Sequence, residues 1–419
     1  MPPVAGTRLV LDPMPPAHFG AGAVDAVATV VRGTGCQAAV IVTDRGLAGT
    51  AVVASVAGAL AAGGIPVTVF NGVQPNPTTA DVAAGADTVA ALAAGGGRPA
   101  VVAVGGGSSI DAAKGIAVAA VNPERGRDLD HRRTFSQPAL PLVAVPAVVG
   151  TETNPFGVIT DPATRRKFYV GGATARPAAA ILDPELTASL PPGGTAATGM
   201  DALVHALESC MSRRANPWAE GIALQAIRMI SAHLPRAVTD GGDLEARSQM
   251  LLASHLAGVG MASTGLGVCH AIGHALGGRF DIAHGVALTM VLPGVLRFNL
   301  PACEERLAAV AFALGAGDTA RGAAWNADAA IDAVAALADR AGMTHRLPDF
   351  GITAADFDPI ATDTLDDEVL ANTPRPPSGA DVRAILTGAL DGTGASPPAG
   401  RPIRPTRRTR PGGPGPDGG

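Results

Sequence analysis

Asp201-Ala-Leu-Val-His205 sets a carboxylate and an imidazole four residues apart. On a helix, two such side chains lie one above the other on the same face. His270-Ala-Ile-Gly-His274 repeats the spacing with two imidazoles, and His284-Gly285 follows ten residues on. Together Asp201, His205, His270 and His284 offer one oxygen and three nitrogens. That donor set suits a divalent transition metal with one position left open for substrate. The plainer alternative, core or solvated histidines at chance spacing, accounts for any one of them but poorly for the set. Ala271 stands where a zinc protease carries its glutamate, so the general base for peptide hydrolysis is missing.

A second chemical element lies upstream. Pro99-Ala-Val-Val-Ala-Val104 has the character of a buried strand, and Gly105-Gly-Gly-Ser-Ser-Ile-Asp-Ala-Ala-Lys114 that of a tight turn opening a helix. Gly105, Gly106 and Gly107 let a backbone approach a ligand closely, and free N–H groups at a helix N-terminus favour a phosphate or pyrophosphate. Ser108 and Asp111 have the spacing of a capping box for that helix. The segment is neither a P-loop nor the Gly-x-Gly-x-x-Gly dinucleotide fingerprint. Gln37-Ala-Ala-Val-Ile-Val-Thr-Asp44 is a strand-like apolar run ending in a carboxylate, as strands of doubly wound sheets do at their ligand-binding edge. Asp44 can accept hydrogen bonds from adenosine ribose hydroxyls and repel a 2′-phosphate, or it can simply cap the following turn.

At these residues the chain resembles the iron-containing, metal-dependent alcohol dehydrogenases, from about Phe19 to about Leu390. The segments that carry the resemblance are Gly105 to Lys114, Ala196-Ala-Thr-Gly-Met-Asp-Ala-Leu-Val-His-Ala-Leu-Glu208, and His270-Ala-Ile-Gly-His-Ala-Leu-Gly-Gly278 leading to His284-Gly285, with Ile181-Leu-Asp-Pro184 and Asn76-Pro-Thr78 as further landmarks. The resemblance implies an α/β dinucleotide-binding domain followed by an all-α metal-binding domain, as in dehydroquinate synthase. It implies metal ligation by Asp201, His205, His270 and His284, with His274 near nicotinamide and substrate, Asp44 near the adenosine ribose, and Lys167 near the nicotinamide ribose. The implied activity is hydride transfer between NAD(H), in preference to NADP(H), and a small alcohol or aldehyde. Fe(II) or Zn(II) would act as Lewis acid on the substrate oxygen, and His274 would relay the proton. Alternatives are reduction of maleylacetate or another carbonyl acid, and a lyase of the dehydroquinate synthase type. The lyase needs basic residues that a chain whose last lysine is Lys167 does not offer. A nucleotide-binding paralogue without activity fits poorly with an intact ligand set.

One loop departs from the family pattern. Ala147-Val-Val-Gly-Thr-Glu-Thr-Asn154 keeps Gly150-Thr151 but puts valines where hydroxyls are usual, and it is two residues short; Asn71 stands where an aspartate is usual. Thr151 remains a candidate cofactor contact. An altered clamp implies cofactor exchange unlike that of close relatives.

Organisation and composition agree with this reading. Residues 1–190 alternate short Val/Ile/Ala runs with Ala-rich helical stretches, such as strand 65–70 and helix 79–94. After Pro191-Pro-Gly-Gly194, residues 191–392 read as long helices, among them 201–212, 219–234 and 244–262. The ligands then fall in the helical part and the phosphate loop in the α/β part, with the site in the cleft between. Residues 393–419 contain seven glycines, seven prolines and five arginines, a composition expected to be disordered. Net charge is −5, which leaves no electrostatic footprint for nucleic acid. Four cysteines without paired spacing point to thiols in a reducing, cytoplasmic compartment. Neither a leader nor a membrane span is expected, and a homo-oligomer is.

Overall fold

The structure is a computed structural model that describes residues 14–147 and 152–392. Residues 148–151 of the altered loop, Thr151 among them, and the 393–419 tail therefore lie outside the described residues. The strands are β1 (Ala17–Phe19), β2 (Ala38–Asp44), β3 (Val67–Val73), β4 (Pro99–Gly105), β5 (Leu142–Pro146), β6 (Phe156–Asp161), β7 (Arg166–Gly171) and β8 (Ala179–Leu182). Six of them form one parallel sheet in the order β1-β8-β5-β4-β2-β3, while β6 and β7 pair as an antiparallel hairpin.

Strand alternation explains why the sheet is covered on both faces. Val40 and Val42 of β2 and Val101 and Ala103 of β4 pack into one apolar layer with the helices α3 (Thr79–Ala94) and α4 (Gly107–Ala119). Their neighbours Ala39, Ile41, Val102 and Val104 pack into the other, with α1 (Val27–Gly33) and α2 (Ala51–Ala62). Successive side chains point to opposite faces, so a strand buried on both sides is apolar throughout. Strand β3 begins at Val67, two residues later than expected, because Pro66 has no N–H to give the ladder. Helix α3 spans the expected residues, closed by a capping box between Thr78 and Asp81.

The remaining helices are α5 (Pro192–Met211), α6 (Pro217–Thr239), α7 (Leu244–Thr264), α8 (Val268–Phe280), α9 (His284–Ala313), α10 (Ala323–Arg340), α11 (Phe357–Leu365) and α12 (Gly379–Asp391). They enclose a single apolar cluster contributed by α5 through α12. Helix α5 starts nine residues before the expected Asp201, because Pro192 occupies the first turn, where its missing N–H costs nothing. Helix α9 is long and apolar enough to cross a membrane by length and composition, yet most of its apolar side chains are buried in this cluster. It contains Pro293 and Pro301 and is kinked at Cys303. The chain is thus an α/β parallel-sheet unit followed by an all-helical unit.

Candidate active site and metal centre

Helix periodicity places Asp201 and His205 on one face of α5, and His270 and His274 on one face of α8, while His284 is the first residue of α9. Close packing brings the three helices together. A side chain at Gly285 would put Cβ 2.0 Å from the Ala197 carbonyl oxygen, so only glycine lets α9 start against α5.

Asp201, His270 and His284 offer ligand atoms that all lie within 4.8 Å of one another. Asp201 Oδ1 is 3.4 Å from His205 Nε2, 3.5 Å from His270 Nε2 and 3.9 Å from His284 Nε2. The His205 ring stacks on His270 with centroids 4.9 Å apart. All four predicted ligands therefore meet around one carboxylate oxygen. Asp201 Oδ1 and His270 Nε2 are buried without a hydrogen-bond partner, which native proteins avoid unless something else satisfies such atoms.

The electrostatics suit a cation. Burial opposes charge on Asp201, but the imidazoles of His205, His284 and His270 outweigh it and hold the carboxyl well below the usual carboxylate range. Burial pushes the His205 and His284 imidazoles below their ordinary value, which favours a cation over a proton at their nitrogens. At His270 burial acts in the same direction, yet the Glu208 and Asp201 carboxylates prevail and raise it to about 9. One ionised oxygen and three histidine nitrogens converging on unpaired atoms fit a divalent transition metal.

His274 stands between this cluster and an open cleft. Its ring stacks on His284 at 5.5 Å, and its Nδ1 lies 2.7 Å from Asp367 Oδ2 and 3.4 Å from the Tyr169 hydroxyl. A carboxylate only accepts, so Nδ1 carries the proton and Nε2 is the free nitrogen. Tyr169 in turn donates to Asp367 Oδ1 at 3.2 Å. Burial and the Asp367 charge raise the Tyr169 pKa well above its ordinary value, so it is a neutral phenol. The cleft, of about 470 Å³, is lined by Lys167, Tyr169, His274, Asp367 and Glu368 among others. Lys167 Nζ donates to Asn76 Oδ1 at 2.9 Å, and burial lowers the ammonium to about 8.

The glycine loop and Asp44 occupy the C-terminal ends of β4 and β2, which are adjacent in the sheet. From β2 the chain goes on to β3 at one edge, whereas from β4 it goes to β5 on the opposite side. The two ends therefore form a topological switch point, where open α/β sheets bind ligands. Gly105 has φ +142°, a conformation that favours glycine.

The expected capping box at Ser108 and Asp111 is not formed. Helix α4 starts at Gly107 with Gly106 as its cap and no side-chain cap, so Ser108 already lies in the first turn. Asp111 instead accepts from Val158 N at 3.1 Å and sits 3.6 Å from the fully buried Lys114, which donates to Asn154 Oδ1 and the Phe156 carbonyl. These bonds pin the β6–β7 hairpin, which carries Lys167 and Tyr169, onto α4. Asp44 Oδ1 accepts from Gly46 N and Leu47 N at 2.8 and 3.0 Å, so it does cap its turn.

Sequence reasoning missed Asp367, Tyr169 and Glu208 as parts of the site. Asp367 and Tyr169 had no readable signal, since a carboxylate in an acidic stretch and a strand tyrosine are ordinary. Glu208 lies three residues after His205, on the same helix face.

Comparison with known proteins identifies the family. The iron-containing alcohol dehydrogenase profile matches residues 15–184, and the C-terminal profile of the Fe-containing alcohol dehydrogenase family matches residues 195–390. The chain is 36% identical over 380 residues to the NAD-dependent methanol dehydrogenase of Bacillus methanolicus, covering 90% of this chain and 99% of that one. It is 36% identical to the 1,3-propanediol dehydrogenase of Klebsiella pneumoniae over 89% of this chain and 96% of the relative. With the lactaldehyde reductase of Escherichia coli (strain K12) it shares 34% identity over 88% of this chain and 95% of that one. A crystal structure of a 1,3-propanediol oxidoreductase superposes with a TM-score of 0.86 at 36% identity, over 91% of this chain and all of the other. The chain belongs to the iron-containing alcohol dehydrogenase family.

Proposed function

We propose that the protein transfers hydride between a nicotinamide dinucleotide and a small alcohol or aldehyde, with a divalent metal held by Asp201, His205, His270 and His284. The observation that carries this reading is the convergence of one carboxylate and three imidazoles beside His274, whose Nε2 is free. A divalent ion there supplies Lewis-acid polarisation of the substrate oxygen, and a nicotinamide supplies the hydride acceptor or donor. Everything else falls to the chain itself. Asp367 holds the His274 ring and its tautomer, so that Nε2 gives or takes the proton. The loop from Gly105 to Ser108, which leads into α4, presents N–H groups without a side-chain cap to the diphosphate. Asp111 serves the cofactor through the hairpin it anchors, and Thr151 remains a proposed contact.

The test is metal analysis of the purified protein combined with short aldehydes and NADH. One divalent ion per chain and NADH oxidation that stops on chelation are expected; full turnover by metal-free protein would overturn the reading.

NAD(H) is the proposed cofactor in preference to NADP(H), since Asp44 stands at the switch point and would repel a 2′-phosphate. Asp44→Gly is accordingly expected to raise the NADPH-to-NADH ratio of kcat/KM by about tenfold, the equivalent of about 1.4 kcal/mol. An unchanged ratio would confine Asp44 to capping its turn. As to the metal, the family suggests Fe(II), whereas the nitrogen-rich donor set favours Zn(II) by affinity. A homo-oligomer is proposed because β1 is an edge strand with Phe19 exposed.

A pH effect follows from Lys167. Its ammonium is present below about 8 and is lost as pH rises through that value. If it attracts the dinucleotide, KM for NAD should rise above pH 8, and Lys167→Met should show a raised KM without that rise. A parallel rise in both proteins would place the ionisation elsewhere.

A further inference from the structure

We infer that Glu208 is a positioning residue for the metal centre: it fixes the tautomer and orientation of His270 and, by the same carboxylate, caps the helix that carries His270 and His274. The inference rests on the metal reading above and extends it to a residue that binds no ion itself.

Glu208 belongs to α5, seven residues after Asp201 and three after His205, and is almost fully buried. A buried carboxylate needs partners, because an unpaired one costs several kcal/mol. Glu208 finds all of them at the start of α8. Its Oε2 accepts from Gly267 N at 2.8 Å and lies 2.7 Å from His270 Nδ1, while its Oε1 accepts from Cys269 N at 2.7 Å. Gly267 is the N-cap of α8 and has no side chain to cap it. The Cys269 N–H is one of the donors that an N-cap serine or aspartate would ordinarily satisfy. Glu208 does that from another helix, and its negative charge lies at the positive end of the α8 dipole.

The consequence for chemistry lies in the third bond. A carboxylate can only accept, so Glu208 holds a proton on His270 Nδ1 and leaves Nε2 facing Asp201 Oδ1 at 3.5 Å, where a bound cation would replace the Nε2 proton. Histidine ligands whose other nitrogen donates to a carboxylate are fixed in ring angle and made more basic, and loss of that partner weakens metal binding about 10–100-fold. Glu208 thus joins α5, which brings Asp201 and His205, to α8, which brings His270. Half the site is registered against the other half by one side chain.

Capping and orientation can be separated by experiment. In the full-length protein, Glu208→Ala removes both, and adding Gly267→Ser to it restores an N-cap side chain. The added Cβ at residue 267 would lie 3.0 Å from Glu208 Oε1 in the unmodified chain, a conflict the alanine removes. Zn(II) affinity is measured by chelator competition, metal-free stability by thermal melting, and the ligand field by the visible spectrum of the Co(II) form. The expected result is that Glu208→Ala lowers both melting temperature and Zn(II) affinity, the latter about 10–100-fold. In the double variant the melting temperature should recover, while the affinity stays weakened and the Co(II) spectrum stays shifted from that of the unmodified protein. Should Glu208→Ala fail to fold, Glu208→Gln, compared alone and without the change at residue 267, keeps the side-chain volume while removing the charge. Recovery of Zn(II) affinity along with the cap would reduce Glu208 to a helix cap and overturn the inference, as would unchanged affinity in Glu208→Ala or Glu208→Gln. Failure of the unmodified protein to bind a divalent ion would instead overturn the metal reading itself.

Discussion

Asp201→Ala and His205→Ala are each expected to yield folded protein that has lost its metal and, with it, at least about 10³-fold in kcat/KM. The magnitude follows from the several kcal/mol that Lewis-acid polarisation contributes to the transition state, at about 1.4 kcal/mol per tenfold. Retention of the fold follows from where α5 gets its stability. Met200, Leu203, Val204 and Leu207 are fully buried in the helical core and are untouched by either substitution. Asp201→Ala leaves His270 with its partner Glu208, and in His205→Ala the Asp201 carboxylate keeps His270 at 3.5 Å. The measurements are metal content by elemental analysis, thermal melting and aldehyde reduction. Normal metal content in either variant would defeat its assignment as a ligand.

His274→Ala is expected to separate proton transfer from metal binding. General acid–base catalysis contributes about 10²–10⁴-fold, so kcat should fall within that range while metal content stays near that of the unmodified protein. His274 is not among the atoms that converge on Asp201 Oδ1, which is why its loss should spare the ion. Asp367→Asn should show a smaller deficit, about tenfold to a hundredfold, since it removes one hydrogen bond to the ring and the charge behind it. KM should change less than kcat in both variants. Loss of metal from His274→Ala would make the residue part of the ligand sphere instead of the proton path.

The pair spacings in α5 and α8 were legible because a helix converts i, i+4 into one face whatever the helix packs against. The same holds for β2 and β4, whose unbroken apolar runs announce strands covered on both sides. Boundaries were less legible. A Pro-Pro-Gly-Gly run looks like an interruption in one dimension, but Pro192 is tolerated in a first helical turn, so α5 begins there. At Ser108 and Asp111 the spacing was right for a capping box and the register was wrong. The close approach of the β6–β7 hairpin gives the Asp111 carboxylate to Val158 N instead.

The residue types and intervals alone determined which four side chains could ligate a metal, which loop could receive a phosphate, and that an α/β part precedes a helical part. Those properties follow from local periodicity and side-chain chemistry, which are written in the order of residues. Only the tertiary structure decided that α9 starts against α5 at Gly285, bringing His284 to Asp201, and that Glu208 serves α8 from a different helix. It also decided that Asp367, 93 residues from His274 in sequence, is the carboxylate that holds that ring. Such pairings depend on which surfaces meet when apolar faces are buried, and contact between distant segments leaves no interval in the sequence from which it can be read.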